Sequence, residues 1–380
     1  MPRPTPHWSR SRAVYALPVA ALAACQPPAG QEYMPATAWT EESVQMPDDG
    51  ELRVLIIHDM EGLSGQDDPS SFDYGTALYP SGQEWLAADI NAVVDGLFAG
   101  GATHVFIADG HGSGNPEPDL RADLLDERAV QIIKDEPFDT YFDLPDSEDI
   151  DAVAVVGMHA KTGSGGFASH TFTLGIDLLI NGRSITETEL VALSWGRRGV
   201  PVIFASGDQR LESDLETMPW IDFVTVKEAT AADGAVPRPV EEARQDLREG
   251  ARRALENLSD ARSLAVSRPI HASLHAVPPA SLAALEGIPD MNYADNTYTF
   301  VTDDLREAYD GLVRVVGLAT LGYGSVLREV VAQREDGREI MDAFGEALTR
   351  RWFDQESGRY DPESRGPELR ESQRRFHGYR

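Results

Sequence analysis

The sequence predicts an α/β protein: a largely parallel sheet flanked by helices that carries a metal site, plus a smaller α+β domain. Two observations support this. From Leu52 onward, short apolar runs alternate with helical stretches, the pattern of a parallel sheet covered by helices. Three of those runs also end in Asp, Glu or His, and parallel α/β sheets bind ligands beyond the carboxyl ends of their strands.

Strand-like runs fall at 52–58, 103–108, 129–133, 152–157 and 201–205. Between them lie an amphipathic stretch at 83–99 and a helix opening at Thr186. Phe172 to Ile185 contains Asn181-Gly182, a pair suited to a hairpin turn. Asp233-Gly234 and Pro237-Arg238-Pro239 mark a break near 230–240. Beyond it the sequence predicts a charged helix from Val240 to Leu258, strands near 269–275 and 297–302, and a helix from Asp303 to Leu321. The expected division is an α/β metal-binding domain over 51–235, a smaller α+β domain over 236–335, and a charged tail over 336–380. That tail holds one helix, Arg338 to Trp352, and a polar end that reads as disordered. No internal repeat is evident.

With 380 residues, 42% of them hydrophobic and 25% charged, the chain is long and apolar enough to bury one large core or two modest ones. A net charge of −30 argues against nucleic acid and anionic membrane surfaces as partners, since both are polyanions. The single cysteine is more specific. Arg3, Arg10 and Arg12 precede an apolar stretch, Ala13 to Ala24, too short to span a bilayer. It ends in Leu22-Ala23-Ala24-Cys25, which resembles the bacterial lipobox. The expectation is a signal over 1–24, lipidation at Cys25, and a Pro-rich tether over 25–50. Gln26 rather than Asp after the cysteine favours the outer membrane, on its periplasmic face. With Cys25 lipidated, disulfides and zinc–cysteine sites are excluded.

Asp59-Met60-Glu61-Gly62 follows the run Arg53 to Ile57. Alternate residues of an extended chain point the same way, so Asp59 and Glu61 are expected to project together. Two like charges on one face call for a proton or a cation. His111 follows the run Val105 to Ala108, and His159 follows Ala152 to Val156. Glu187 lies in the first turn of a helix whose Thr186 and Glu189 read as a capping box. By spacing alone, Glu187 could serve either the helix dipole or a metal. Oxygen and imidazole donors without thiolate suit Zn²⁺, Mn²⁺ or Co²⁺. Five such donors, three of them carboxylates, suit a pair of ions rather than one. A glycine-rich loop from Gly163 leads to His170, which is placed to overhang the site just before a strand from Phe172.

The ordered motifs His58-Asp-Met-Glu-Gly-Leu-Ser-Gly65, Asp109-Gly-His111, Gly157-Met-His-Ala160, Ser169-His170 and Ile185-Thr-Glu187 resemble the zinc-dependent D-aminopeptidases of the DppA type. A looser likeness continues through Asn296-Thr-Tyr-Thr-Phe300 and Glu307-Ala-Tyr309. The resemblance implies two zinc ions, with Asp59 bridging, Glu61 and His159 completing one and His111 and Glu187 the other. It implies that His170 is the catalytic residue, as nucleophile, general acid/base or oxyanion stabiliser. It also implies short D-amino-acid peptides as substrates and a ring-like homo-oligomer. The signal, the tether, the 330–380 tail and the Asp67-Asp68-Pro69 loop depart from that family's core. Two other readings stand beside this one: another two-metal hydrolase acting on an amide or phosphoester, and a non-enzymatic lipoprotein binding peptide or metal.

Overall fold

The computed structural model describes residues 34–359, except 116, 133–140, 142–148 and 290. Cys25, the signal and the polar end from residue 360 lie outside the described residues. Strand β1 (Trp39–Ser43) comes first, followed by β2 (Arg53–His58), helix α1 (Tyr79–Ala99), β3 (His104–Asp109), β4 (Ala129–Gln131) and β5 (Ala152–Val156). The hairpin β6 (Ile176–Ile180) and β7 (Arg183–Ser184) precedes α2 (Glu187–Gly196), β8 (Val202–Asp208), α3 (Gln209–Asp214), β9 (Asp222–Ala231) and β10 (Gly234–Pro237). Helix α4 (Val240–Glu256), strands β11 (Arg262–Val266), β12 (Ile270–Ala276), β13 (Tyr293–Ala294) and β14 (Thr297–Thr302), then α5 (Leu305–Ala319), α6 (Tyr323–Gln333) and α7 (Gly337–Glu356) follow.

The main sheet has the order β10-β9-β8-β5-β2-β3-β4, parallel except for the β9–β10 hairpin at its edge. Strand β2 lies inside the sheet between β5 and β3 and is buried on both faces, which explains its unbroken apolar run. Val54 and Ile56 join the core beneath α1 and α4, while Leu55 and Ile57 face the second core with α2 and α5. Gly96 lets α1 and α4 meet closely, since a Cβ there would stand 2.1 Å from the Arg248 carbonyl.

The second sheet is antiparallel, in the order β13-β14-β12-β6-β7. Here the fold departs from the linear division expected at 235/236. Strand β6 comes from the first segment yet pairs with β12, and α4 comes from the second segment yet packs on α1. The chain crosses between the two layers, so a break in local pattern near residue 235 marks the β9–β10 hairpin rather than a boundary between separate bodies.

The stretch expected to be tether also changes. Residues 39–43 form β1, paired in antiparallel register with β11 from Trp39↔Val266 to Ser43↔Arg262. The Arg183 guanidinium sits over the Trp39 ring at 5.1 Å. These partners are remote in sequence, which is why no local pattern announces the strand. The strand expected from Phe172 begins instead at Ile176, after a turn in which Phe172 has φ +62°.

Candidate metal centre

Strands β5, β2 and β3 are neighbours in the sheet, and their carboxyl ends deliver Asp59/Glu61, His111 and His159 to one place. Glu187 joins them from the first turn of α2. All five side chains are at least 95% buried. The two carboxylates of the first motif do converge, but not by the extended alternation expected. The strand ends at His58, and the chain then turns. Within that turn the Met60 N–H donates to Asp59 Oδ1 at 2.9 Å and to Glu61 Oε2 at 3.2 Å.

Two glycines make this possible. Gly62 N–H donates to the Gly157 carbonyl at 2.7 Å, and a Cβ on Gly62 would lie 2.1 Å from the Met158 carbonyl oxygen. Gly157, at φ +74°, leaves no room either, since a Cβ there would lie 2.4 Å from the Asp59 carbonyl oxygen. The loop carrying Asp59 and Glu61 is therefore seated flush against the loop carrying His159.

Each histidine is oriented by a backbone carbonyl. His111 Nε2 donates to the Phe72 carbonyl at 3.0 Å, which turns Nδ1 toward Asp59 Oδ1 at 2.7 Å and Glu61 Oε2 at 3.3 Å. His159 Nδ1 donates to the Ala160 carbonyl at 3.0 Å, which aims Nε2 at Asp59 Oδ2 (3.3 Å) and Glu187 Oε1 (3.5 Å). The fixed N–H leaves the other nitrogen as the ligand-type lone pair. His159 Nε2 is buried without a hydrogen-bond partner.

The electrostatics agree with a site built for positive charge. Burial alone would raise the Asp59 carboxyl, but the adjacent His111 and His159 imidazoles hold it well below the usual carboxylate range. Burial and the Asp59 charge raise Glu61. Burial also raises Glu187, against the opposing pull of His159. Burial would depress His111 and His159, yet the surrounding carboxylates push both up, His159 to about 10. The carboxylates thus favour positive charge at this position, the demand that a bound cation meets.

The donor atoms form three overlapping groups, Asp59–Glu61–His111, Asp59–His159–Glu187 and Glu61–His159–His170, each within 4.8 Å. The third group sets Glu61 beside His159, as in the pairing the resemblance implies, while the first two set Glu61 beside His111 and Glu187 beside His159. Asp59 is common to the first two, with Oδ1 facing His111 and Oδ2 facing His159. The donor set and the orphaned His159 nitrogen both fit zinc or a similar divalent ion.

His170 lies beside the site, its ring stacked on His159 with centroids 3.9 Å apart. Its Nδ1 donates to the Ala168 carbonyl at 2.7 Å, and burial with the neighbouring His159 charge lowers it to about 4. It is therefore neutral, with Nε2 free to accept a proton. Thr186 and Glu189 do form the capping box, with bonds of 2.8 and 2.9 Å, so Glu189 is spent on the helix end while Glu187 turns inward.

Several contributors had no signal in the sequence. The Tyr141 hydroxyl donates to Glu187 Oε2, and Phe172 N–H donates to Glu187 Oε1 at 2.7 Å. Lys227 is 1% exposed, donates to the Glu61 carbonyl and to Gln66 Oε1, and lies 4.3 Å from the Phe167 ring centroid. Burial lowers its ammonium to about 7. Asp109, already noted in the motif, accepts the His111 N–H at 2.9 Å and so positions the loop rather than facing the site.

A family model described as D-aminopeptidase, peptidase family M55, matches residues 52–313, well over half of the chain. A D-aminopeptidase of Bacillus subtilis (strain 168) is 27% identical over 273 residues, covering 70% of this chain and 98% of that protein. The solved structure of the Zn-dependent D-aminopeptidase DppA from Bacillus subtilis, a self-compartmentalizing protease, aligns with a TM-score of 0.64 at 25% identity. That alignment covers 71% of this chain and 98% of the other. The fold, the buried carboxylate–imidazole cluster and these matches lead to one conclusion: the chain belongs to the M55 peptidase family and is a metallopeptidase of the D-aminopeptidase kind.

Proposed function

We propose that this chain removes the N-terminal residue of short D-amino-acid peptides, D-Ala-containing ones among them, using two zinc ions. The observation that carries this is the pair of overlapping donor groups sharing Asp59. Asp59 would bridge the two ions, with Glu61 and His159 completing one and His111 and Glu187 the other. Bound there, the ions would acidify a water and polarise the scissile carbonyl. The Phe72 and Ala160 carbonyls keep both imidazoles aimed inward, and Tyr141 with the Phe172 amide fixes Glu187.

His170 accepts a proton at Nε2 and returns it to the departing amine. Its Nδ1–H is already committed to Ala168, so the neutral ring has no second donor for an oxyanion. That favours base or nucleophile over oxyanion donor. A phosphoester reading is less well supported, because no Lys or Arg lines the cavity among the described residues.

The test is the zinc-loaded protein on D-alanyl and L-alanyl amides. The D-amide is expected to be turned over with kcat/KM at least ~100-fold higher, a gap of about 2.7 kcal/mol. Equal rates on the two would overturn the reading.

We propose further that the chain is lipidated on Cys25 and faces the periplasm from the outer membrane. The lipobox-like run before Cys25 supports this. A Cys25→Ser variant is then expected in the soluble rather than the membrane fraction of cells, and a membrane-bound variant would count against the anchor. A ring-like assembly of copies belongs to the same proposal, supported by the self-compartmentalizing neighbour. A monomer in sedimentation velocity would refute that part.

A further inference from the structure

The cavity in front of the metal centre has a volume of about 710 Å³. Asp59, Glu61, His111 and His170 line its inner end. Part of its wall is built from Val316, Thr320 and Tyr323, all beyond residue 313, where the family match stops. The Tyr323 hydroxyl donates to the Leu174 carbonyl and lies 3.4 Å from Thr173 Oγ1. The wall is thus tied to the segment that runs on from His170.

Leu174 also lines the cavity, yet it is 64% exposed, an aliphatic side chain held at the rim by its own engaged backbone. Asp73, another exposed lining residue, follows Phe72, whose carbonyl orients His111. Apart from the groups of the metal centre and His170, Asp73 is the one charged side chain lining this space among the described residues.

We infer that this rim is a subsite for the residue that follows the scissile bond, selecting an apolar side chain and rejecting a carboxylate. The inference rests on the D-aminopeptidase reading and names its substrate class more narrowly. Leu174, Val316 and Tyr323 remove an apolar side chain from water. A carboxylate in the same place would be partly desolvated, would find no cation on the wall, and would be repelled by Asp73. A free dipeptide carries its carboxylate on that second residue. An amide, or a longer peptide, does not.

The experiment compares zinc-loaded full-length protein on D-Ala-D-Leu amide, D-Ala-D-Glu amide, D-Ala-D-Ala and D-Ala-D-Ala amide. The leucyl amide is expected to exceed the glutamyl amide at least ~10-fold in kcat/KM, mainly through KM, and the alanyl amide to exceed the free dipeptide. Leu174→Lys, at an exposed position, should shrink the leucyl-to-glutamyl ratio ~10-fold or reverse it, and Asp73→Asn should narrow it. Thermal melting checks that both variants fold. Equal turnover of all four by the wild type, or wild-type ratios in both variants, overturns the inference while the D-aminopeptidase reading stands. No turnover of any of the four overturns that reading, and the inference falls with it.

Discussion

Asp59→Asn is expected to lower kcat/KM on a D-alanyl amide by at least ~10³-fold, about 4 kcal/mol of transition-state stabilisation. Asp59 presents one oxygen to each of the two donor groups that share it, 2.7 Å from His111 Nδ1 and 3.3 Å from His159 Nε2. An amide in its place offers one neutral oxygen, so both groups lose their shared anion. The fold should persist, because Asn fills the same volume and the Met60 N–H keeps an acceptor. Stability of the metal-free variant is the more discriminating measurement. Three buried carboxylates repel one another, and removing one relieves that strain while leaving the two imidazoles fewer anions to balance. The metal-free variant should melt within a few degrees of the metal-free wild type, whereas zinc should no longer shift its melting point. A variant that turns over substrate at the wild-type rate would show that Asp59 does not bridge.

Removing metal with a chelator should abolish turnover, and zinc should restore it. The same treatment should lower the melting temperature by on the order of 10 °C. Ligand at ~1,000 times its dissociation constant stabilises by about 4 kcal/mol, and a domain of this size moves about 2–4 °C per kcal/mol. The size of that shift should depend on pH. In the metal-free protein His159 is raised to about 10 from an ordinary value of 6.5. A raised histidine contributes stability that is fully present below pH 6.5 and is lost as pH rises through about 10. Ions must displace that proton, and the one on His111, so zinc binds more tightly as pH rises. The gap between zinc-loaded and chelated melting points should therefore widen from pH 6.5 to 9.5. A gap independent of pH would show that the imidazoles do not give up protons to the metal.

Much of the candidate site was legible before any coordinates. Asp59, Glu61, His111, His159 and Glu187 were each picked out by their place just past an apolar run or at a helix start. All five meet within a few ångströms. The route to that convergence was read less well. Asp59 and Glu61 come together through a turn closed by Gly62 and Gly157, not along an extended strand. Tyr141 and Lys227 were missed because their partners are remote: Tyr141 reaches Glu187 across 46 residues and Lys227 reaches Glu61 across 166. Strand β1 was missed for the same reason, since it pairs with the remote β11.

Local pattern in the chain determined five strands of the main sheet and the longer helices, the chemical types at the strand ends, the capping box at Thr186 and the single cysteine at 25. Those features depend on neighbours a few residues apart, where periodicity and propensity act. Tertiary structure alone decided which carboxylate faces which imidazole, which ring nitrogen is left as the lone pair, and what walls the cavity. These depend on backbone carbonyls such as Phe72 to His111, 39 residues apart, and on Tyr323 reaching Leu174 across 149. Such contacts exist only after the two sheets have packed, so the candidate donors can be read from sequence while their arrangement cannot.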